Sequence, residues 1–235
     1  MPQQYYTLVA SLPHLAGISH VVQLPITRRQ LDNRLRMLDD EDYQNVTRID
    51  ALLFPRGGGW QSDELLIRQG QTLAESLPEQ FREVVEWYLT RRTLLSAVRR
   101  RLLKEARPDA KAAWGYSILM PAISANWHLP DLGMSAKFPS LGQVVELLDR
   151  RDGIALDELL LREEDVFCKR LSDVHEFSAI NVLCYVLRWN LTERWLRLRS
   201  EAASSPPSTT LIDELLHDSQ HHAYRQRRVT RSSRS

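Results

Sequence analysis

Only two cysteines, Cys168 and Cys184, occur in 235 residues. No Cys-x-x-Cys pair is present, so the chain offers neither a disulfide framework nor a thiolate metal motif. Both cysteines fall in helix-like stretches, and reduced thiols of a cytosolic protein are expected. Long apolar runs are also missing. The most apolar internal run, Ala179 to Leu187 (AINVLCYVL), is far shorter than the roughly 20 residues of a spanning helix. The first residues, MPQQYYTLVASLPHLAGISH, have no basic residue before Arg28, and Pro13 and His14 interrupt them, which argues against a signal peptide. These absences predict a soluble, cytoplasmic protein with no membrane span. There is no excess of charge either. The formal net charge is +1, so any electrostatic function must sit in local patches. No G-x-S-x-G elbow and no nucleotide-binding fingerprint occur. The chain is therefore expected not to be an enzyme and to need no cofactor.

What is present is helical punctuation. Hydrophobic residues at 43% and charged residues at 26% are ordinary for a chain that buries a core. Thr27 is placed to cap RRQLDNRLRML, with Leu31, Leu35 and Leu38 in helical spacing. Asp39 or Asp40 can cap the next helix, whose stripe is Val46, Ile49, Leu52 and Leu53. PRGGGW, residues 55–60, reads as a flexible connection; it lacks the Gly-Lys-Ser/Thr ending and preceding strand of a phosphate loop. A helix from Asp63 to about Ser76 follows. Ser76 and Glu79 then fit a capping box, and Pro108 is the expected stop of a long helix. Residues 109–139 hold three prolines with Trp114, Tyr116, Trp127 and Phe138; they read as irregular chain packed against the body. SLGQVVELLDRRDG gives a helix with Gly153 as its stop. ALDELLLREEDVFCKRLS gives another, and VHEFSAINVLCYVLRWNLTERWLRLRSEA a further one. The first half of that helix is apolar on every face, the mark of a central helix. LIDELLHDSQHHAYRQRR can form a short helix beyond the Ser/Pro linker. Residues 5–12, YYTLVASL, alternate as a short strand or extended segment would. The predicted fold is all-α: an irregular multi-helix bundle with long helices and a short extended N-terminal segment. A helical domain is expected over 1–203, then a Ser/Pro linker and basic tail over 204–235.

One helix poses the functional question. Along FREVVEWYLTRRTLLSAVRRRLLKEAR, residues 81–107, the apolar arc of Phe81, Val84, Val85, Tyr88, Leu95, Leu102 and Leu103 also contains Arg91, Arg92 and Arg99. Three explanations stand. Their stems can run along the core edge with the guanidinium groups in water. They can pair with acids elsewhere in the chain, with Glu163, Glu164, Asp173 and Glu176 as candidates, because an unpaired buried charge is too costly. Or they can face a groove that receives a partner.

The C-terminal segment holds the other candidates. Arg225, Arg227, Arg228, Arg231 and Arg234 form a basic tail with no acid after Asp218, which fits either a solubilising tail or nucleic-acid binding. His217 and His221 are four apart near Asp213, Asp218 and His222, a spacing that can hold zinc on a helix. No HExxH accompanies them, and no metal is expected.

Four stretches resemble a known group of proteins: YYTLVASLPHL, PITRRQLDNRLRMLDDED (25–42), WHLPDLGM (127–134) and HEFSAINVLCYVLRWNLTERW (175–195). Together they look like an uncharacterised bacterial family encoded among V-type ATPase genes. That family in turn distantly resembles the socket protein of V/A-type ATPases, the funnel-shaped part that seats the central stalk on the membrane rotor ring in bacteria, archaea and eukaryotes. The resemblance spans residues 5–200. It implies an all-helical, non-catalytic coupling part for ion or proton transport. Its partners would be the central stalk and the membrane rotor ring, and it would be peripheral to the inner membrane through them. Arg91, Arg92 and Arg99 would then line a groove that meets acidic side chains of the stalk. The chain has roughly two-thirds of the usual length of that socket protein, so a full three-lobed funnel is not implied. A nucleic-acid-binding module using the basic helix and tail is the alternative.

Overall fold

The computed structural model describes residues 4–56 and 62–204. Among them there are nine α-helices, one 3₁₀ turn and no strand. The helices are α1 (Tyr6–Ser11), α2 (Arg28–Leu35), α3 (Asp40–Leu53), α4 (Asp63–Ser76), α5 (Glu79–Leu102), α6 (Met120–Ala125), α7 (Leu141–Asp149), α8 (Gly153–Val174) and α9 (Ala179–Ser204); the 3₁₀ turn is Ile18–His20. The all-α class expected from sequence is the one observed. The glycine run, the linker, the short helix expected beyond it, the basic tail and the histidines from His217 to His222 lie outside the described residues.

Local chemistry sets the helix ends. Thr27 caps α2 in a reciprocal box with Gln30: the Gln30 N–H donates to Thr27 Oγ1 (3.3 Å) and the Thr27 N–H to Gln30 Oε1 (2.9 Å). Asp39 caps α3 by accepting from the Asp42 N–H at 2.8 Å.

Five boundaries differ from the sequence expectation. Residues 6–11 are a helix rather than a strand. A lone strand has no edge to pair with, whereas a helical turn satisfies its own backbone, as Val9 N–H to Tyr5 C=O does at 2.9 Å. The capping box at Ser76 gives way to a different junction. Ser76 is the last residue of α4 and its Oγ donates back to the Leu73 carbonyl, while the Pro78 carbonyl accepts from Phe81 and Arg82 to open α5. α5 ends at Leu102, six residues before Pro108. Lys104 takes φ 58°, its N–H donates to the Arg101 carbonyl and the Glu105 N–H to the Arg100 carbonyl, the paired bonds of a Schellman stop. Arg151, at φ 57°, ends α7 in the same way, and Gly153 instead opens α8. Residues 175–178 precede the last helix rather than belong to it; Phe177 sits at φ 57° and the Asn181 N–H donates to Ser178 Oγ. Residues 109–139 also contain a short helix, α6, with Pro121 in its first turn, where a missing N–H does no harm.

The chain divides into two compact units. The described residues of unit 1 are 4–56, 69–88 and 157–204; those of unit 2 are 62–68 and 89–156. Unit 1 is organised on α9. Ile180, Val182, Leu183, Cys184, Val186, Leu187 and Leu191 are all buried, so the first half of α9 is enclosed over most of its circumference, with a half-buried strip at Asn181, Tyr185 and Arg188. Polar groups of α9 hold distant parts of the chain. Asn190 Nδ2 donates to Asp50 Oδ1 of α3 (2.6 Å), Trp189 Nε1 to the Ile26 carbonyl (2.9 Å), and Arg188 Nε to Asp165 Oδ1 of α8 (2.7 Å). Asp50 also receives Arg28 (2.7 Å) and Arg56 (2.9 Å). On α5 and α8, Trp87 and Phe167 stack nearly parallel at 4.0 Å. Cys168 and Cys184 are buried free thiols; a hydrogen bond between them, then burial, raises the Cys168 pKa well above that of an ordinary thiol.

Unit 2 has its own apolar cluster. Leu94, Ala97 and Val98 of α5 meet Met120 and Ile123 of α6, with Leu132, Met134 and Leu141. Trp114, Trp127 and Phe138 pack against it, so the aromatic stretch is anchored as its composition suggests.

Candidate partner-binding site

Arg91, Arg92 and Arg99 all lie on the part of α5 that belongs to unit 2. Arg91 and Arg99 are buried, at 7% and 6% exposure. Arg92 keeps about a third of its side chain in solvent, with 32% exposed. The acid that receives Arg92 is Asp63, the first residue of α4. The Ser62 hydroxyl caps that helix by accepting the Leu65 N–H at 3.2 Å. Asp63 is thereby fixed in the first turn, buried at 5% exposure.

Its carboxylate is satisfied by two donors. Arg92 Nε donates to Oδ1 at 2.7 Å and Ser96 Oγ to Oδ2 at 2.6 Å. Arg99 adds a second positive charge beside it, while its own Nε donates to the Leu95 carbonyl at 3.1 Å. Burial pushes the Asp63 pKa up, but Arg92, Arg99 and the Ser96 hydroxyl together outweigh it and hold the carboxyl below the usual range. Asp63 is thus an ionised counter-ion at neutral pH and a poor proton donor.

The internal-pairing explanation therefore holds for Arg92, with a partner other than Glu163, Glu164, Asp173 and Glu176. A signal for Asp63 exists in the sequence. Asp63 and Arg92 sit about fourteen residues either side of the Leu77–Pro78 turn, and positions equidistant from the turn of a helical hairpin face one another. Arg92, Ser96 and Arg99 at i, i+4 and i+7 then present one polar strip to that position.

A second group of cations, which helical phase alone does not mark out, lies at the C-terminal end of α5 and in the residues just after it. Arg100 Nη1 pairs with Glu105 at 3.0 Å, and its guanidinium carbon lies 4.8 Å from the Trp114 ring centre. Arg101 donates to the Leu129 carbonyl, and Arg107 Nε to Ser124 Oγ at 3.2 Å. Lys104 and Lys111 are exposed.

Among the described residues no group of three or more His, Cys, Asp or Glu side chains is placed to hold a metal ion, and no helix is long and apolar enough to cross a membrane. No known protein family, curated protein or solved structure matches the chain. The family resemblance accordingly stands on the four quoted stretches.

Proposed function

We propose that this chain is a non-catalytic structural or coupling component, or an assembly partner, of a bacterial V-type ATPase, with the central stalk and the membrane rotor ring as its partners. The observation that carries the reading is where the resembling stretches fall. Three of the four, the N-terminal one and those at 25–42 and 175–195, are far apart in sequence yet meet in unit 1. The Tyr5 N–H donates to the Phe177 carbonyl at 2.6 Å, Trp189 Nε1 to the Ile26 carbonyl, and Arg28 Nη1 to Asn190 Oδ1 at 3.2 Å. That these three stretches belong to one folded body supports reading them together. Long helices such as α5, α8 and α9 suit a part that transmits force between others, and such a part requires no active site.

The test is affinity capture of the tagged full chain from gently solubilised native membranes, followed by mass spectrometry. Recovery of rotor-ring and stalk proteins in near-stoichiometric yield is the expected result. Recovery of nucleic acid in place of ATPase components, released steeply by salt, would overturn it and favour a nucleic-acid module.

A further inference from the structure

We infer that the surface of unit 2 at the C-terminal end of α5, centred on Arg101, Lys104 and Arg107, is a docking site for an acidic segment of a partner protein. The inference rests on the coupling or assembly role only for the identity of that partner. It moves partner recognition away from Arg92 and Arg99, whose charges lie against Asp63.

Residues 100–111 carry Arg100, Arg101, Lys104, Arg107 and Lys111 against Glu105 and Asp109. What decides is how these charges are held. Arg100 has Glu105 as counter-ion. Arg101 and Arg107 are instead fixed by neutral acceptors, the Leu129 carbonyl and the Ser124 hydroxyl. A neutral acceptor orients a guanidinium without cancelling its charge, and the remaining N–H groups stay suited to an incoming carboxylate. The Ser124 hydroxyl is itself anchored, donating to the Pro108 carbonyl at 2.9 Å, so Arg107 is held in a closed network. Lys104, in the left-handed stop of α5, and Lys111 add two exposed ammonium groups. Of the neighbouring acids, Asp109 accepts the Lys111 N–H, and Asp131 accepts the Gly133 N–H and the Ser135 hydroxyl. Both keep their charge, but within residues 100–111 five cations face two acids, so the patch stays positive.

The same surroundings favour protein over nucleic acid. Nucleobases would need open aromatic faces. The Arg100 guanidinium lies over Trp114, and Trp127 packs on the apolar cluster while its Nε1 donates to the Glu105 carbonyl at 3.4 Å. Leu103, 39% exposed beside Lys104, offers instead an apolar contact of the size a peptide side chain uses.

The test measures fluorescence anisotropy of a labelled glutamate-rich peptide with interspersed leucines, titrated with the full chain. The variant is Lys104→Glu/Lys111→Glu, at exposed positions where the fold is preserved, as circular dichroism will verify. The control is Arg29→Glu/Arg36→Glu in unit 1, with the same change of net charge. The patch variant should weaken binding about tenfold and the control less than about twofold, since local complementarity rather than net charge governs the contact. Equal weakening by both variants, or no binding by the wild type, would overturn the site. Tighter binding of a thymidine oligonucleotide, or of phosphatidylcholine vesicles containing phosphatidylserine, would overturn the choice of partner. Capture of ATPase components by the patch variant as well as by the wild type would remove the site and leave the coupling role. Peptide binding that responds to the patch, with no ATPase components captured by the wild type, would do the reverse.

Discussion

Replacing Asp63 by alanine tests the account of the α5 arginines most directly. The substitution removes the acceptor of Arg92 and Ser96 and takes away the anion beside the buried Arg99. Breaking a fully buried ion pair from one side costs about 3–5 kcal/mol. Arg92 is 32% exposed and partly hydrated, which lowers the expectation to about 2–3 kcal/mol. Asp63→Asn keeps an acceptor for Ser96 and should cost about 1–2 kcal/mol. Urea unfolding followed by circular dichroism and tryptophan fluorescence gives these differences, and a cycle with Arg92→Ala isolates the pair. The pH dependence supplies an independent check. The folded-state pKa of Asp63 lies below its unfolded value of about 3.9, so the stabilisation is fully present above that value. It is lost as pH falls below the unfolded pKa and through the folded one, and Asp63→Asn should flatten that acid limb. A loss under about 0.5 kcal/mol for Asp63→Ala, the range of an ordinary surface change, would refute the reasoning.

Three other substitutions probe separate features. Asp50→Ala removes the shared acceptor of Arg28, Arg56 and the buried Asn190 in unit 1; Arg28 keeps Asp32, so the loss should be about 2–3 kcal/mol in the same unfolding assay. Gly115→Ala places a methyl group 2.1 Å from Met120 Sδ and 3.0 Å from Thr93 Cγ2; with Met120 fully buried, a loss of about 1–3 kcal/mol is expected. Arg151→Gly relieves the left-handed stop of α7 and should raise the melting temperature, by about 0.5–1 kcal/mol of stability at most.

Much of the fold is legible in the sequence because local signals agree with tertiary need. Thr27, Asp39 and the apolar first half of α9 read as what they are. Helix ends are harder. Lys104, Arg151 and Phe177 hold left-handed positions where sequence reasoning looks for glycine; at Lys104 and Arg151 the paired backbone hydrogen bonds of the helix stop accompany them. The YYTLVASL alternation suggests a strand because eight residues are too few to separate the two periods. The arginine question is half legible. Helical phase places Arg91, Arg92 and Arg99 on the buried side, but the later acidic clusters are the more conspicuous partners. For Arg92 the partner lies across the hairpin, in Asp63. The basic end of α5 is inconspicuous because helix C-termini attract cations in any case; what sets it apart is the neutrality of the acceptors of Arg101 and Arg107, which no sequence pattern reveals.

The position of α9 has a consequence for the order of folding. Asp50, Ile26, Leu15 and the Ile18 turn each have polar or apolar partners on α8 or α9, across as many as 173 residues of chain. The ties of unit 2 are much shorter: Tyr116 to Thr93, Arg101 to Leu129, Arg107 to Ser124. Closing a long loop is slower than closing a short one, because its entropy is lost before any contact repays it. Amides around 93–129 should gain protection in pulsed hydrogen exchange before those of α2 and α3. During synthesis the first helices must then wait for α8 and α9 to leave the ribosome before these contacts form.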